Sequence, residues 1–276
     1  MFTWRPDDMP PKVQITLVGW IRVVLRGICW ILVLIAGVLA TLLLRGPERI
    51  VFGLGRPWTP YVTQWVCRLT LWILGIRLRT QGTPMKNAGA VVSNHLSWLD
   101  IFALNVRKRI YFVSKSEVAG WPGIGTLAKI TGTVFITRDP RQAQQQTQIF
   151  ESRLLEGHKL LFFPEGTSTD GMRVLPFKST LFEAFFSQTL RSEMYIQAVS
   201  LVYTAPHGED ARFYGWWGDM EFAPHVLKVL AQAPQGEITI IYHPPVKVDD
   251  FPNRKALAGH LAQVVRAGMP PERQKT

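Results

Sequence analysis

The hydrophobic pattern divides the chain into an apolar N-terminal part and a longer part in which short apolar runs alternate with polar stretches. From Gly27 to Leu44 there are 18 residues without a charge, just enough for a helix to cross a bilayer. A second apolar stretch, Trp58 to Ile76, carries Arg68 at its centre. Because a central arginine is costly in hydrocarbon, this stretch favours an interfacial helix or the return arm of a hairpin. A hairpin of buried core helices is the alternative.

After about residue 80, the pattern is typical of an α/β fold. Apolar runs at 88–93, 110–114, 133–137, 159–163, 196–203 and 237–242 predict strands, and 98–106, 124–130, 140–156 and 181–190 predict helices. Strands without polar alternation indicate a sheet that is covered on both faces. We therefore predict a mixed, largely parallel sheet between helices, with an N-terminal apolar helical segment that docks on a membrane. The predicted divisions are 1–80, 81–250 for the catalytic domain, and 251–276 for a C-terminal helix and basic tail.

Composition narrows the classes of partner. Hydrophobic residues make up 47% of the 276 positions and charged residues 18%, which excludes a disordered chain and favours membrane contact. The net charge of +11 suits anionic partners such as lipid headgroups, phosphorylated substrates or an acidic carrier protein. Nucleic acid is disfavoured, because the basic residues are scattered and the aromatic residues concentrate in the apolar N-terminal part.

The first candidate site is the run Asn94-His95-Leu96-Ser97-Trp98-Leu99-Asp100, directly after a predicted strand. Open α/β sheets place their ligands at this end of the strands. Within one helix, positions five apart point about 140° away from each other, so His95 and Asp100 can meet only if a helix begins between them. Ser97 as N-cap and Asp100 at the third helical position would form a capping box that begins it there. Asp100 is then either a capping carboxylate alone or the partner that orients His95 as a general base.

Two further runs end predicted strands. Phe163-Pro164-Glu165-Gly166-Thr167-Ser168-Thr169-Asp170 is either a tight turn or a polar loop that offers a carboxylate, backbone N–H groups and hydroxyls to a substrate headgroup. Gly132 to Arg138 ends a strand with a cation, which is either solvated or holds an anionic group.

Other chemistries lack their motifs. The chain contains no G-x-S-x-G nucleophile elbow, so the nucleophile is expected to be a hydroxyl of the substrate. No H-E-x-x-H or paired-cysteine motif predicts a metal site. Gly123 to Ala128 matches the dinucleotide-binding pattern G-x-G-x-x-A. That motif should follow a strand directly, but residues Ser116 to Pro122 separate it from the preceding strand, which disfavours a dinucleotide site. A membrane adaptor that only binds lipid remains an alternative, and it would tolerate loss of His95.

The three runs, in this order and at these spacings, resemble the glycerolipid acyltransferase family of the lysophosphatidate acyltransferase type. NHLSWLD matches the family's N-H-x-x-x-x-D block, GTVFITR its second block, and FPEGTST its F-P-E-G-T-R-S block, over roughly residues 82–203. The resemblance implies that His95 and Asp100 are catalytic, and that Arg138, Glu165, Gly166, Thr167 and Ser168 contact the acceptor. It also implies acyl-CoA or acyl-carrier protein as donor, a lysolipid as acceptor, contact with membrane lipids, and neither metal nor cofactor.

One departure from the family pattern bears on the acceptor. Ser168 stands where the third block normally has an arginine that binds phosphate, which puts a phosphorylated acceptor in doubt. This EGTST variant, with the run 213–221 (FYGWWGDME), resembles the bacterial branch that acylates lyso-ornithine lipid and similar lyso-aminolipids. We therefore expect a lyso-aminolipid O-acyltransferase in the bacterial inner membrane with its catalytic domain facing the cytoplasm. Synthesis of phosphatidic acid from 1-acylglycerol-3-phosphate is the alternative.

Overall fold

A long N-terminal helix opens the computed structural model, which describes residues 4–5, 14–53, 55–136 and 143–274. Helix α1 (Leu17–Phe52) extends well beyond the predicted apolar run at both ends, and helix α2 (Thr59–Leu74) accounts for most of the second apolar stretch. In the described part of the chain, α1 is the one helix long and apolar enough to cross a membrane, and almost none of its apolar stretch is buried.

The two N-terminal helices pack against each other and against the domain. Gly37 allows close approach, because a side chain there would collide with Val66 of α2. Near the start of α1, the guanidinium groups of Arg22 and Arg26 donate hydrogen bonds to backbone carbonyls of residues 230–232, at the end of a later helix. Arg68 is exposed and donates to the carbonyl of Val106. Arg68 therefore lies at the surface of α2.

The strands form one mixed, mainly parallel sheet in the order β1-β7-β6-β2-β5-β3-β4. In this sheet β6 pairs antiparallel with β7 and with β8, whereas the other pairs are parallel. The strands are β1 (Arg77–Gln81), β2 (Gly89–Ser93), β3 (Tyr111–Lys115), β4 (Val134–Ile136), β5 (Leu160–Phe162), β6 (Tyr195–Thr204), β7 (Glu237–Tyr242) and β8 (Val246–Lys247).

Helices cover both faces of this sheet, which confirms the predicted fold class. The remaining helices are α3 (Leu99–Arg107), α4 (Ile124–Thr131), α5 (Ala143–Leu155), α6 (Phe222–Ala231) and α7 (Arg254–Ala267). One apolar cluster joins the sheet to α2, α3 and α6, and a second joins it to α5, α7 and the segment 179–186. Each face therefore has its own core, as the strands without polar alternation predicted.

Some elements differ from the sequence prediction. Strand β1 (sequence RLRTQ) has a single apolar residue and alternates exposed and half-buried side chains at the sheet edge, so it lacks the continuous apolar run that predicts β2 to β7. The two-residue strand β8 was not predicted either. Helix α6 was not predicted. The segment predicted as a helix at 181–190 is a 3₁₀ helix at Ser179–Phe186. Phe182 and Phe185 are buried there three residues apart, which matches the three-residue turn of that helix.

Candidate active site

The loops that leave two neighbouring parallel strands meet at one edge of the sheet. Strands β2 and β5 lie side by side, with Val92 opposite Phe162. The backbone N–H of Thr169, in the loop after β5, donates to the carbonyl of His95, in the loop after β2, at 2.9 Å. The two motifs that the sequence singled out after strands therefore form one site at the carboxyl ends of the strands, where open α/β sheets bind ligands.

His95 and Asp100 are in direct contact. Nδ1 of His95 lies 2.7 Å from Oδ2 of Asp100, whose side chain is fully buried, whereas that of His95 is 22% exposed. Helix α3 begins at Leu99, so His95 lies in the loop and Asp100 in the first helical turn. This is the break between the two residues that their spacing required. A carboxylate can only accept, so Nδ1 carries the proton and Nε2 of His95 is left with a free lone pair.

Four hydrogen bonds converge on the Asp100 carboxylate. Besides the His95 ring, the backbone N–H groups of Leu96 and Ser97 donate to Oδ2 at 2.8 and 3.1 Å, and the Tyr203 hydroxyl donates to Oδ1 at 2.6 Å. The bond from Ser97 is one half of the predicted capping box, but the box is not completed. Helix α3 begins at Leu99 with Trp98 as its N-cap, so Asp100 is the second helical residue, and the Ser97 hydroxyl accepts from Leu99 rather than from Asp100. The Asp100 carboxylate thus binds the loop that precedes the helix and orients the histidine.

Tyr203 reaches Asp100 from strand β6. It is fully buried, and burial together with the Asp100 carboxylate raises its pKa well above the ordinary value, so it donates as a neutral phenol. Asn94 fixes the register between the loop after β2 and strand β6, because its side-chain amide both donates to and accepts from the backbone of Leu201. The sequence analysis did not single out Tyr203. Its position at the carboxyl end of a predicted strand was the available signal.

Glu165 is hydrogen-bonded to the loop that carries His95. One carboxylate oxygen accepts the backbone N–H of His95 at 2.7 Å and the other that of Leu175 at 2.8 Å. The residue is 1% exposed, and burial raises its pKa to about 8. The resemblance implies that Glu165 contacts the headgroup, and this stays a prediction. In this structure both of its oxygens accept hydrogen bonds from the protein backbone, which holds the loop of His95 in place.

The histidine ring also stacks on an aromatic side chain. The ring of Phe163 lies on that of His95 with centroids 4.0 Å apart and planes 11° apart. The stack and the bond to Asp100 together hold the ring in one orientation.

The rest of the EGTST loop lies beside the dyad. Gly166, Thr167 and Ser168 are each half-buried. Gly166 has a φ of 69°, and a side chain there would collide with that of Lys178. The Lys178 side chain therefore lies over this loop. Arg138, the cation predicted at the end of the second motif, lies outside the described residues.

Three acids near the EGTST loop and the run 213–221 could face the ammonium group of an aminolipid, but they have different surroundings. Asp170 is buried and accepts from the backbone of Met172, so it faces inward. Asp219 is exposed and pairs with Arg5 at 3.0 Å. Glu221 is exposed and precedes helix α6. Within the described residues, no three His, Cys, Asp or Glu side chains form a group that could hold a metal ion.

Comparison with known proteins assigns the family. The sequence model of the Acyltransferase family matches residues 76–203. A lyso-ornithine lipid O-acyltransferase from Rhodobacter capsulatus is 55% identical over 266 residues, 96% of each chain. One from Brucella abortus is 33% identical over 87% of this chain and 94% of its own.

This chain belongs to the acyltransferase family. The resemblance that the three motifs predicted is thereby confirmed. The crystal structure of the 1-acyl-sn-glycerophosphate acyltransferase from Thermotoga maritima aligns with 91% of this chain and 95% of its own, with a TM-score of 0.61 and 18% identity. At that identity the likeness shows the fold, and it agrees with the mixed sheet and N-terminal helices of this acyltransferase.

Proposed function

We propose that this acyltransferase moves a fatty acyl group from an acyl thioester to the hydroxyl of lyso-ornithine lipid. The observation that carries the proposal is the 55% identity, over nearly the whole chain, to the Rhodobacter capsulatus protein of that name. The His95–Asp100 pair supports it, because acylation of a hydroxyl needs a base and the site offers one. In this acceptor, the hydroxyl belongs to a 3-hydroxyacyl chain in amide linkage to ornithine.

His95 is the general base of the proposed reaction. Its Nε2 takes the proton from the acceptor hydroxyl as the oxygen attacks the thioester carbonyl carbon. The tetrahedral intermediate then collapses, the carbon–sulfur bond breaks, and the proton passes from the imidazolium to the leaving thiolate. The products are an ester and a free thiol, and His95 returns to its neutral form.

Asp100 acts through His95. Its carboxylate keeps the proton on Nδ1 and stabilises the imidazolium that forms when Nε2 accepts a second proton. Three other donors hold this carboxylate in place, so little reorganisation is needed as the charge develops.

The half-buried loop of residues 166–168 is the proposed place for the ornithine headgroup. Lys178 lies over Gly166 and suits the headgroup's carboxylate, whereas Ser168 offers a single neutral hydroxyl. A bidentate arginine–phosphate pair is stronger than such a bond by roughly 1.5–3 kcal/mol. The absence of arginine at this position therefore favours a headgroup without phosphate.

The apolar N-terminal helices supply the proposed membrane attachment. The side chains of Leu43 in α1 and Trp72 in α2 are 76% and 78% exposed, and lipid would cover surfaces of this kind. We place the catalytic domain at residues 81–250, on the cytoplasmic side of the inner membrane, where acyl-carrier protein or acyl-CoA can deliver the acyl group. The proposed membrane segment is residues 1–80, although its last four residues already belong to strand β1 of the sheet, and residues 251–276 are the C-terminal helix and tail.

The acceptor preference tests this function. We expect purified full-length protein to show a higher kcat/KM for lyso-ornithine lipid than for 1-acylglycerol-3-phosphate, measured side by side with each acyl thioester. Ser168→Arg should shift the ratio of the two values toward the phosphorylated acceptor by roughly tenfold to a hundredfold. Ser179→Arg, outside the loop, is the matched control and should leave the ratio unchanged. A clear preference of the unmodified protein for 1-acylglycerol-3-phosphate would establish the alternative activity instead.

A further inference from the structure

A basic cavity lies at the edge of the sheet opposite the dyad. It has a volume of about 380 Å³ and is lined by the connection between α1 and α2 and by the residues that precede β3 and β5. The name basic cavity is used below for the part of it that is lined by Arg56, Lys108, Arg109, Tyr111, His158 and Lys159. Strands β3 and β5 start here, whereas the loop with Glu165 follows the other end of β5. The cavity is therefore separate from the site of acyl transfer.

The cations of the cavity have no acidic partners among the described residues. Lys108 donates to the carbonyl of Met85 at 2.7 Å, Lys159 to those of Lys86 and Asn87, and Arg56 to that of Ile130. Backbone carbonyls satisfy single N–H groups but leave the positive charges uncompensated.

Two acids lie close to the cavity without neutralising it. Glu156 is exposed in its wall and forms no ion pair in the described part of the chain. Glu48 is buried, and its carboxylate already accepts hydrogen bonds from Thr59 and Arg45. The local charge therefore stays strongly positive.

The cations repel one another at partly buried positions. Burial, together with Lys108 and Arg109, lowers the pKa of Lys159 to about 8. Burial and neighbouring cations likewise lower the pKa of Arg56. Such an arrangement costs folding free energy, and an anion bound between the charges would recover it.

His158 gives an independent indication of a ligand. The residue is 7% exposed, it lines the cavity, and neither of its ring nitrogens has a hydrogen-bond partner among the described residues. Its ring packs against Tyr111 with centroids 4.5 Å apart. Buried polar atoms are normally paired. A neutral imidazole carries one N–H group, so the ring can donate one hydrogen bond to an oxygen of a bound anion.

The surroundings of the cavity identify the source of that anion. Phe52 is itself part of the wall. Ile50 and Val51, beside it at the end of α1, are 86% and 64% exposed, and Trp58, directly before α2, is 41% exposed. Exposed aliphatic and aromatic side chains next to clustered Lys and Arg are typical of a surface at the lipid–water boundary.

We propose that the basic cavity binds the phosphate of an anionic phospholipid whose acyl chains lie along the exposed apolar side chains of the α1–α2 connection. The cavity would fix how the protein sits on its membrane, apart from the acceptor site. The proposal does not depend on acyl transfer, because it concerns a lipid that is bound and not consumed.

The test titrates phosphatidylglycerol and phosphatidylcholine into full-length protein held in neutral maltoside micelles, with tryptophan fluorescence as the readout. Phosphatidylglycerol should bind more tightly, and its affinity should fall as salt is added. The triple variant Arg56→Gln, Arg109→Gln and Lys159→Gln should raise the Kd for phosphatidylglycerol by a factor on the order of ten to a hundred. The affinity for phosphatidylcholine should change much less.

A second triple variant, which has the same net charge as the first, is the control. Arg77→Gln, Lys247→Gln and Lys255→Gln remove three cations that do not line the cavity, and this variant should bind phosphatidylglycerol like the unmodified protein. Equal weakening in both variants would overturn the proposal in favour of diffuse attraction. Equal affinity of the unmodified protein for the two lipids would also overturn it. So would inorganic phosphate that competes at the same concentration as the lipid, since the site would then bind a free anion.

Discussion

The two ends of strand β5 have opposite electrostatic character. After its carboxyl end, Glu165 accepts two backbone hydrogen bonds and the neighbouring Asp100 accepts four bonds in all. Before its amino end, Lys159 lies among other cations, and the ring nitrogens of the buried His158 have no hydrogen-bond partner within the described part of the chain. One end is a completed hydrogen-bond network, and the other is an incomplete one.

The difference indicates two kinds of use. A completed network keeps its groups in place while charge changes on a reacting atom, which is what a general base and its carboxylate need. An incomplete network gains most from a partner that arrives from outside, which is what a binding site for an anion needs. Changes at the dyad should therefore reduce the rate, whereas changes at the basic cavity should alter binding and stability.

Loss of the base should have the largest effect. We expect His95→Ala to lower kcat by a factor on the order of 10²–10⁴ or more, because in the proposed mechanism His95 is the group that takes the proton from the acceptor hydroxyl. Acyl transfer to lyso-ornithine lipid is the measurement, and thermal unfolding checks the fold. His207→Ala, at an exposed histidine, is the control and should keep full activity. If His95→Ala retains more than about a tenth of the rate, the base lies elsewhere.

Loss of a positioning hydroxyl should have a smaller effect. Tyr203→Phe removes one of the four bonds to Asp100, worth about 1 kcal/mol, and should lower kcat by roughly fivefold with KM for both substrates unchanged. Tyr242→Phe is the matched control, because the buried hydroxyl of Tyr242 has no hydrogen-bond partner among the described residues. A lower unfolding temperature with unchanged kcat would assign Tyr203 a structural role only.

Contacts between residues close in the sequence were predictable, whereas contacts between distant segments were not. The contact between His95 and Asp100 follows from a helix that begins between them, and the local sequence encodes that start. The contact between Tyr203 and Asp100 joins residues 103 positions apart and depends on the register of β2 against β6, which no local pattern specifies.

The contacts of Glu165 and the basic cavity also join segments that are distant in the sequence. The motif FPEGT identified the loop, but the inward direction of the Glu165 carboxylate depends on the backbone of Leu175 and His95. The cavity combines residues near positions 56, 109 and 158, and only the strand order brings these together. Scattered cations in the sequence thus become a cluster in the fold.

The smallest expected effect concerns His158 and is a change in stability. Burial, with Arg153 and Arg56 nearby, lowers the pKa of His158 to about 4. Between about pH 6.5 and pH 4 the unfolded chain therefore binds a proton that the folded protein resists, so folding stability falls as the pH falls.

His158→Phe keeps an aromatic ring against Tyr111 and removes this proton. Relative to the unmodified protein, the variant should gain on the order of 1 kcal/mol between pH 6.5 and pH 4, measured by urea unfolding in neutral micelles with an unchanged slope. His260→Phe, at a half-exposed histidine that packs on Phe251, is the control and should not show this gain. A His158→Phe curve parallel to that of the unmodified protein would mean that the His158 ring is already protonated or solvated. The hydrogen bonds of the His158 ring at the amino end of β5 would then already be satisfied, for example by solvent.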